Sequence, residues 1–269
     1  MRCKSNPFFQ QAYTIISYIR KSTLSITPTM ATTWIIPDIH GCSETLKLMI
    51  GQQIKPNKND RLIFLGDYID RGPDSKGVID FIMELERKGY SITALKGNHE
   101  DSCIKAWESD RQQKDIFGLQ TKSMVQKDWE AIGGKETMKS FEAFWPNEIP
   151  EKYIQWMRSL DYYVELDNFI AVHAGFNFNL EDPFSDTYSM LWIRDYQIIP
   201  EKINHKKIIH GHTPVNLGFI DLTINNDIFQ FIDLDNGVYM TQQKGYGNLI
   251  ALELNSMEYK IQARADQIR

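Results

Sequence analysis

From Trp34 onward, short β-branched apolar runs alternate with longer stretches whose apolar residues recur at helical spacing. That alternation predicts an α/β architecture. Trp34-Ile35-Ile36 reads as a strand ending in Pro37-Asp38, and Ser43 with Glu44 opens an amphipathic helix over 43–54. Residues 61–65 form a second strand ending in Gly66-Asp67, followed by a helix over 74–88 on the spacing of Val78, Ile79, Ile82 and Leu85. A third strand over 90–95 ends at Gly97-Asn98-His99. Between about 103 and 160 the pattern is helical and rich in Trp and Met, broken at Gly133-Gly134 and at Pro146 and Pro150, and it predicts a helical cap beside the strand ends. Short strands return at 162–166, 169–172, 207–209, 228–232 and 248–254. They predict a second sheet facing the first, with helices outside both.

Composition changes this picture little. The 269 residues suit one large domain, read over 30–269, and 42% hydrophobic with 24% charged residues is ordinary for a globular protein. Residues 1–29 read as an extension, either disordered or foreign to the natural protein. Arg2 and Lys4 faintly suggest a signal peptide, but Tyr13, Thr14, Ser17 and Tyr18 dilute the apolar stretch and no small-residue cleavage site follows. A net charge of -5 with pI ≈ 5.7 provides no general attraction for nucleic acid or an anionic membrane, so an anionic substrate must be drawn by local charge. Cys3, Cys42 and Cys103 lack paired spacing and read as reduced thiols in a cytoplasmic setting. No run of about 18 apolar residues points to a membrane span.

The chemistry lies just past the strands, where open α/β sheets place their ligands. Asp38-Ile39-His40-Gly41 offers two metal-ligand types, although alone it reads first as a turn with a capping Asp. More specific is Gly66-Asp67-Tyr68-Ile69-Asp70-Arg71-Gly72, with two carboxylates and an arginine between glycines; Asp67 can bridge two metals, against a plain Asp–Arg loop clasp. In Gly97-Asn98-His99-Glu100, Asn98 is either a helix cap or an oxygen ligand. His99 would lie near Asp70, and a carboxylate on one ring nitrogen fixes the tautomer and leaves the other to donate a proton. His173-Ala174-Gly175 and His210-Gly211-His212-Thr213-Pro214 follow two further strands, so five of the six histidines stand at strand ends; the sixth, His205, reads as exposed. Trp107, Trp129, Trp145 and Trp156 read as packing for the cap rather than as a platform for a base.

These blocks, in this order, make the sequence similar to the calcineurin-like metallophosphoesterases, and within them to bacterial and phage members of the phosphoprotein phosphatase family, over roughly residues 34–254. The resemblance implies a four-layer sandwich of two facing mixed sheets flanked by helices. It also implies two divalent ions, Mn2+ foremost with Fe or Zn as alternatives, held by Asp38 and His40 at the first, Asp67 bridging, and Asn98, His173 and His212 at the second. His99 matches the general acid and Asp70 its partner, while Arg71, Arg194 and Asn98 match groups that meet the substrate phosphate. His212 is preferred to His210 on this match and on the strand period. Pro37 replaces a usual glycine, and Asp235-Asn236-Gly237 the usual Asp-Thr-Gly. The implied reaction is attack on phosphorus by a hydroxide shared between the ions, which lower the pKa of water from ~15.7 toward neutrality. Expected substrates are Ser/Thr phosphoproteins or small phosphomonoesters, with dinucleoside polyphosphates such as diadenosine tetraphosphate as the alternative. A metal- or partner-binding module without catalysis is the reading from another class, and the retained His99, Asp70 and arginines weigh against it.

Overall fold

A computed structural model describes residues 31–112 and 121–267; the expected extension at 1–29 lies outside the described residues. In chain order the strands are β1 (Thr33–Ile36), β2 (Arg61–Phe64), β3 (Ser91–Ala94), β4 (Tyr163–Glu165), β5 (Phe169–Val172), β6 (Lys207–His210), β7 (Phe231–Asp233), β8 (Asn248–Glu253) and β9 (Tyr259–Ala263). They make a five-stranded sheet of order β3-β2-β1-β8-β9 and a four-stranded sheet of order β4-β5-β6-β7. Both sheets are mixed: β1, β2 and β3 run parallel with β8 and β9 antiparallel, and β5, β6 and β7 run parallel with β4 antiparallel.

Period-two alternation sorts the strand residues among three cores, one between the sheets and one outside each. Ile35, Ile63, Ile250 and Leu252 of the first sheet meet Ala171, Ile209 and Ile232 of the second in the layer between them. Trp34, Ile36, Leu62, Phe64, Leu249 and Ala251 face the other way, onto helices. On the outer side of the second sheet, Ile170, Val172 and Ile208 pack with Phe176, Met190 and Ile203. The expected facing sheets with helices outside are therefore present.

The helices are α1 (Ser43–Leu48), α2 (Ser75–Arg87), α3 (Asn98–Gln112), α4 (Met124–Trp129), α5 (Lys135–Ser140), α6 (Glu151–Arg158), α7 (Thr187–Trp192) and α8 (Leu217–Asn225). α1 continues as a π-helical turn, Met49–Ile54, and ends where Lys55 turns left-handed at φ 52. Asp74 caps α2 by accepting from Gly77 N at 2.9 Å. Among its described residues the segment expected to cap the site carries helices α3 to α6, and its chain breaks at Gly133, φ 123. Among the described residues no helix is long and apolar enough to cross a membrane.

Three expectations need correction. The strand at the end of the chain does not join the second sheet: β8 pairs with β1 and returns to the first, where both of its faces are buried, so alternation carried no sign of its partner. The strand expected over 228–232 begins only at Phe231, because Asn226 forms a turn that accepts Ile228 N on its side chain at 3.0 Å and leaves Ile228 83% exposed. β9 and helices α7 and α8 were not expected at all; α8 is mostly apolar and α7 only six residues long, so neither shows a clear helical stripe.

Candidate active site

The loops after β1 and β2 are zipped together by backbone: Ile39 N and His40 N both donate to Asp67 O, at 3.0 and 2.8 Å, and Gly41 N donates to Tyr68 O at 2.8 Å. His40, Asp67, Asp70, Arg71 and His212 all adopt positive φ, between 45° and 73°. Such backbone is costly for residues with a Cβ, and its concentration in one place marks a site where geometry is imposed by the surroundings. Glu100, in the first turn of α3, secures the arrangement by accepting from Asp67 N, Tyr68 N and Gly97 N, each at 2.9 Å. Gly97 has no freedom to carry a side chain, since a Cβ there would stand 2.1 Å from Asp67 Oδ1.

Two groups of ligand atoms result. In one, His40, Asp67 and His99 converge; in the other, Asp67, His173 and His212. The Asp67 carboxylate belongs to both, with Oδ2 3.6 Å from His40 Nε2 and Oδ1 3.5 Å from His173 Nε2. Asp38 lies beside the first group, Oδ2 4.0 Å from His40 Nε2, and accepts His212 N at 3.2 Å. Asn98 is not merely a cap: its Oδ1 faces His173 Nε2 and His212 Nδ1, each at 2.9 Å. His210 does not join them, because two-residue alternation along β6 turns it to the outer face, where its ring lies 5.5 Å from Phe231. His205 is exposed, as expected.

The donor set fits cations. His40 and His173 donate Nδ1–H to Ile69 O and Leu65 O, at 2.9 and 3.0 Å, so each presents a bare Nε2 inward. At the second pole His173 Nε2, Asn98 Oδ1 and His212 Nδ1 lie 2.9 to 3.1 Å apart with at most one proton among them, a repulsive meeting of lone pairs that a divalent ion would relieve. His212 Nε2 and Asp235 Oδ2 are buried without a hydrogen-bond partner among the described residues. Burial, with like charge from Asp235 and Asp67, holds Asp38 well above the carboxylate range, and burial foremost pushes Asp67 up to about 7. Burial first, then neighbouring cationic groups, holds the His40 imidazole well below its usual range, in the neutral form that a metal requires. At the first pole a cation is already in place: Arg71 donates to His40 Nε2 at 2.8 Å and to His99 Nε2 at 3.0 Å, and its guanidinium lies 4.5 Å over the Tyr239 ring.

His99 and Asp70 are joined as expected, Nδ1 to Oδ2 at 2.6 Å. Burial pushes Asp70 up to about 8 and His99 down to about 4, in each case by disfavouring the charged form. Asp70 also accepts from Trp129 Nε1 at 2.9 Å and from Thr137 Oγ1 at 2.6 Å. Nothing in the sequence pointed to Trp129 or Thr137 in this role: both come from the helical segment, and Trp129 also packs in its core as expected. Glu100 and Tyr239 were likewise missed as parts of the site, although Glu100 stands inside a recognised block. Arg194 stands apart from the cluster, exposed, and donates to Thr213 Oγ1 at 3.5 Å. Asn236, where threonine is usual, clamps two loops by donating to Val215 O and Gly245 O at 2.9 Å and accepting from Asn248. Pro37 is buried beyond β1, where its missing N–H falls outside the Ile39 and His40 bonds to Asp67.

Known proteins resemble this chain in sequence and in fold. The calcineurin-like phosphoesterase family matches residues 31–240. The asymmetrical bis(5'-nucleosyl)-tetraphosphatase PrpE of Oceanobacillus iheyensis is 27% identical over 226 residues, 72% of this chain and 82% of that protein. Serine/threonine-protein phosphatase 1 of Salmonella typhimurium is 37% identical over 73 residues, only 27% of this chain and 32% of that one. A solved protein serine/threonine phosphatase from Saccharomyces cerevisiae superposes with a TM-score of 0.57 at 14% identity, covering 91% of this chain and 83% of its own, a likeness of fold. The family match and the two His/Asp groups together imply two divalent metal ions. With a matching span that takes in most of the chain and a phosphoesterase site assembled at its strand ends, this protein belongs to the calcineurin-like phosphoesterases and is a phosphoric ester hydrolase.

Proposed function

We propose that this chain hydrolyses phosphate monoesters, with phosphoserine or phosphothreonine side chains and small phosphomonoesters as substrates, and that Mn2+ is its working metal. One observation carries the reading: the Asp67 carboxylate lies between two histidine-bearing groups, with the hydrogen-bonded Asp70–His99 pair beside it. In this proposal Asp38, His40 and Asp67 hold one cation, and Asn98, His173 and His212 with Asp67 hold the other. Two divalent ions there would supply an activated water and positive charge for the phosphoryl oxygens. Nitrogen and oxygen donors without thiolate suit Mn, and also Fe or Zn.

The chain's own groups do the rest. Arg71 must turn away from His40 Nε2 to release that lone pair, and its fork then meets phosphoryl oxygens from one side. Arg194, exposed near Thr213, approaches them from another, and the Asn98 amide is a further contact. Asp70 holds the His99 ring at Nδ1–H, and once Arg71 has turned away the ring protonated on both nitrogens presents Nε2–H to the departing ester oxygen. For His99→Asn, turnover of a phosphoserine peptide is expected to fall by about 10² to 10⁴, the usual worth of general acid catalysis. The loss should be smaller for p-nitrophenyl phosphate, whose phenolate leaves with little need of a proton, and metal content should not change. Equal loss on both esters, or full activity, removes His99 from that role.

A second reading, hydrolysis of dinucleoside polyphosphates, is supported by the tetraphosphatase relative, whose likeness runs over 72% of this chain. Steady-state kcat/KM for a phosphoserine peptide and for diadenosine tetraphosphate, both with Mn2+, separates the two. A large preference for the dinucleotide reverses their order.

A further inference from the structure

Asp235 stands just past the end of β7, and backbone bonds fix it against the loop after β6: Leu234 N donates to His210 O at 2.9 Å and Val215 N to Asp235 O at 2.8 Å. Gly211 of that loop brings it up to Asp38. A Cβ built on Gly211 would stand 2.1 Å from Asp38 Oδ1 and 3.7 Å from the Asp235 Cβ, so only glycine is tolerated at this point. The two carboxyl groups, each residue 1% exposed, are therefore neighbours across a glycine in the interior. After burial, the influence that raises Asp38 most is the charge of Asp235, ahead of that of Asp67.

A turn accounts for only half of this side chain. Oδ1 accepts Gly237 N at 2.7 Å, and the Asp235 N–H goes to Asp233 Oδ1 at 3.2 Å. Asparagine would hold the same turn, because its Oδ1 accepts that bond without carrying a charge. Oδ2 is buried with no hydrogen-bond partner among the described residues. Such an oxygen is costly, and a second carboxylate beside it raises the cost. Arg71, the fixed cation at this pole, directs its three nitrogens at Ile132 O, His40 Nε2 and His99 Nε2 and brings no donor to Oδ2. A divalent ion held by Asp38 removes the conflict. At similar distances its attraction for Asp235 is about twice the repulsion between the two carboxylates, because the ion carries two charges.

We propose that Asp235 is a positioning residue for the cation at the first pole: it stands outside both ligand groups, and its charge, set beside Asp38, strengthens the hold of Asp38 and His40 on the ion. The proposal rests on the two-ion reading and deepens it, since it adds a carboxylate that acts on the first ion through a ligand. The unpartnered Oδ2 is what carries it, for a turn alone gives this position no use for a charge.

The test uses the full chain and Asp235→Asn, which keeps the turn and removes the charge. Titration calorimetry with Mn2+ should resolve two ions in the unaltered protein. In the variant one of them should bind at least about tenfold more weakly, the lower end of the effect of removing a partner of a metal ligand, while the other changes far less. Asp235→Ser, which lacks the charge and the amide alike, should act in the same direction and shows that the amide is not the cause. Melting in EDTA gives the second readout: with one of two adjacent buried carboxylates gone, Asp235→Asn should be at least as stable as the unaltered protein. Unchanged affinity for both ions in Asp235→Asn, the result expected of a residue that only holds a turn, overturns the proposal. Weaker binding together with a lower melting temperature in EDTA overturns it as well, because the loss then lies in the fold. Fewer than two Mn2+ on the unaltered protein is a separate outcome, visible without any variant, that removes the two-ion reading and this inference together.

Discussion

Asp70 shows how a single carboxylate organises this site. Its oxygens take three side-chain bonds, from His99, Trp129 and Thr137, and its own N–H is shared between Ser75 Oγ and Thr137 Oγ1. The imidazole it orients can therefore rotate little. In Trp129→Phe the ring remains and the N–H is lost, so Oδ2 is left with His99 alone. A hydrogen bond to a group that becomes charged is worth about 1.5 kcal/mol or more, so kcat should fall roughly tenfold with KM and metal content unchanged. A variant that loses stability but keeps its kcat per folded molecule would reduce Trp129 to packing. The pairing of Asp70 with His99 was legible from two short motifs, since they follow two adjacent parallel strands, β2 and β3. Trp129 and Thr137 were not, because they lie 59 and 67 residues from Asp70 in sequence and helical periodicity says nothing about which strand end a helix covers.

Among the elements, the start of α3 matters most. Its first turn brings three things into one place: Asn98 for the second pole, His99 for the first, and Glu100 as an acceptor, at 2.9 Å each, for three backbone N–H groups of the β2 and β3 loops. Burial pushes the Glu100 carboxyl up to about 7, and those three N–H donors pull it back. Glu100→Gln keeps the shape but must turn an NH2 toward one of these donors. The expected cost is about 1 to 3 kcal/mol, the penalty of an unsatisfied buried group. Because the same donors hold Asp67, Mn2+ affinity should weaken too. Denaturant melts and metal titration measure these separately, and unchanged metal affinity would mean that Glu100 supports the fold without positioning Asp67. At this scale much was readable, since short apolar runs ending in Gly, Asp or His announce strand termini. What α3 does past Gly97 was not, because a helix that begins at a ligand looks in sequence like a loop carrying ligands.

For the molecule as a whole, the site is a region of stored electrostatic conflict. Buried Asp38 and Asp67 are held toward their protonated forms, and neutral imidazoles and an amide oxygen point lone pairs at one another. Metal binding resolves both and should stabilise the fold. Free metal at a thousandfold its Kd is worth about 4 kcal/mol, and at about 2 to 4 °C per kcal/mol for a chain of this size Tm should rise by about 8 to 16 °C over EDTA-treated protein. Asp67, held near 7, must give up its proton to the solvent when an ion binds, so affinity falls as pH drops below that value. Differential scanning calorimetry with Mn2+ at pH 6 and pH 8 should accordingly show the smaller metal-induced rise at pH 6. Identical melts with and without metal would leave the two-ion site without support.

The amino-acid sequence by itself determined which residues are candidate ligands, the α/β class and the placement of those candidates at strand ends, because strand and helix periods are local and the residues that end them are neighbours in the chain. Tertiary structure alone decided that β8 returns to the first sheet, that Trp129 and Thr137 reach Asp70, that His212 N meets Asp38 across 174 residues, and that Asp235 comes up to Asp38 at Gly211. These depend on sheet order and on which helix lies over which strand end. A buried strand or helix shows the same apolar pattern whichever partner covers it, so only the folded chain makes that choice.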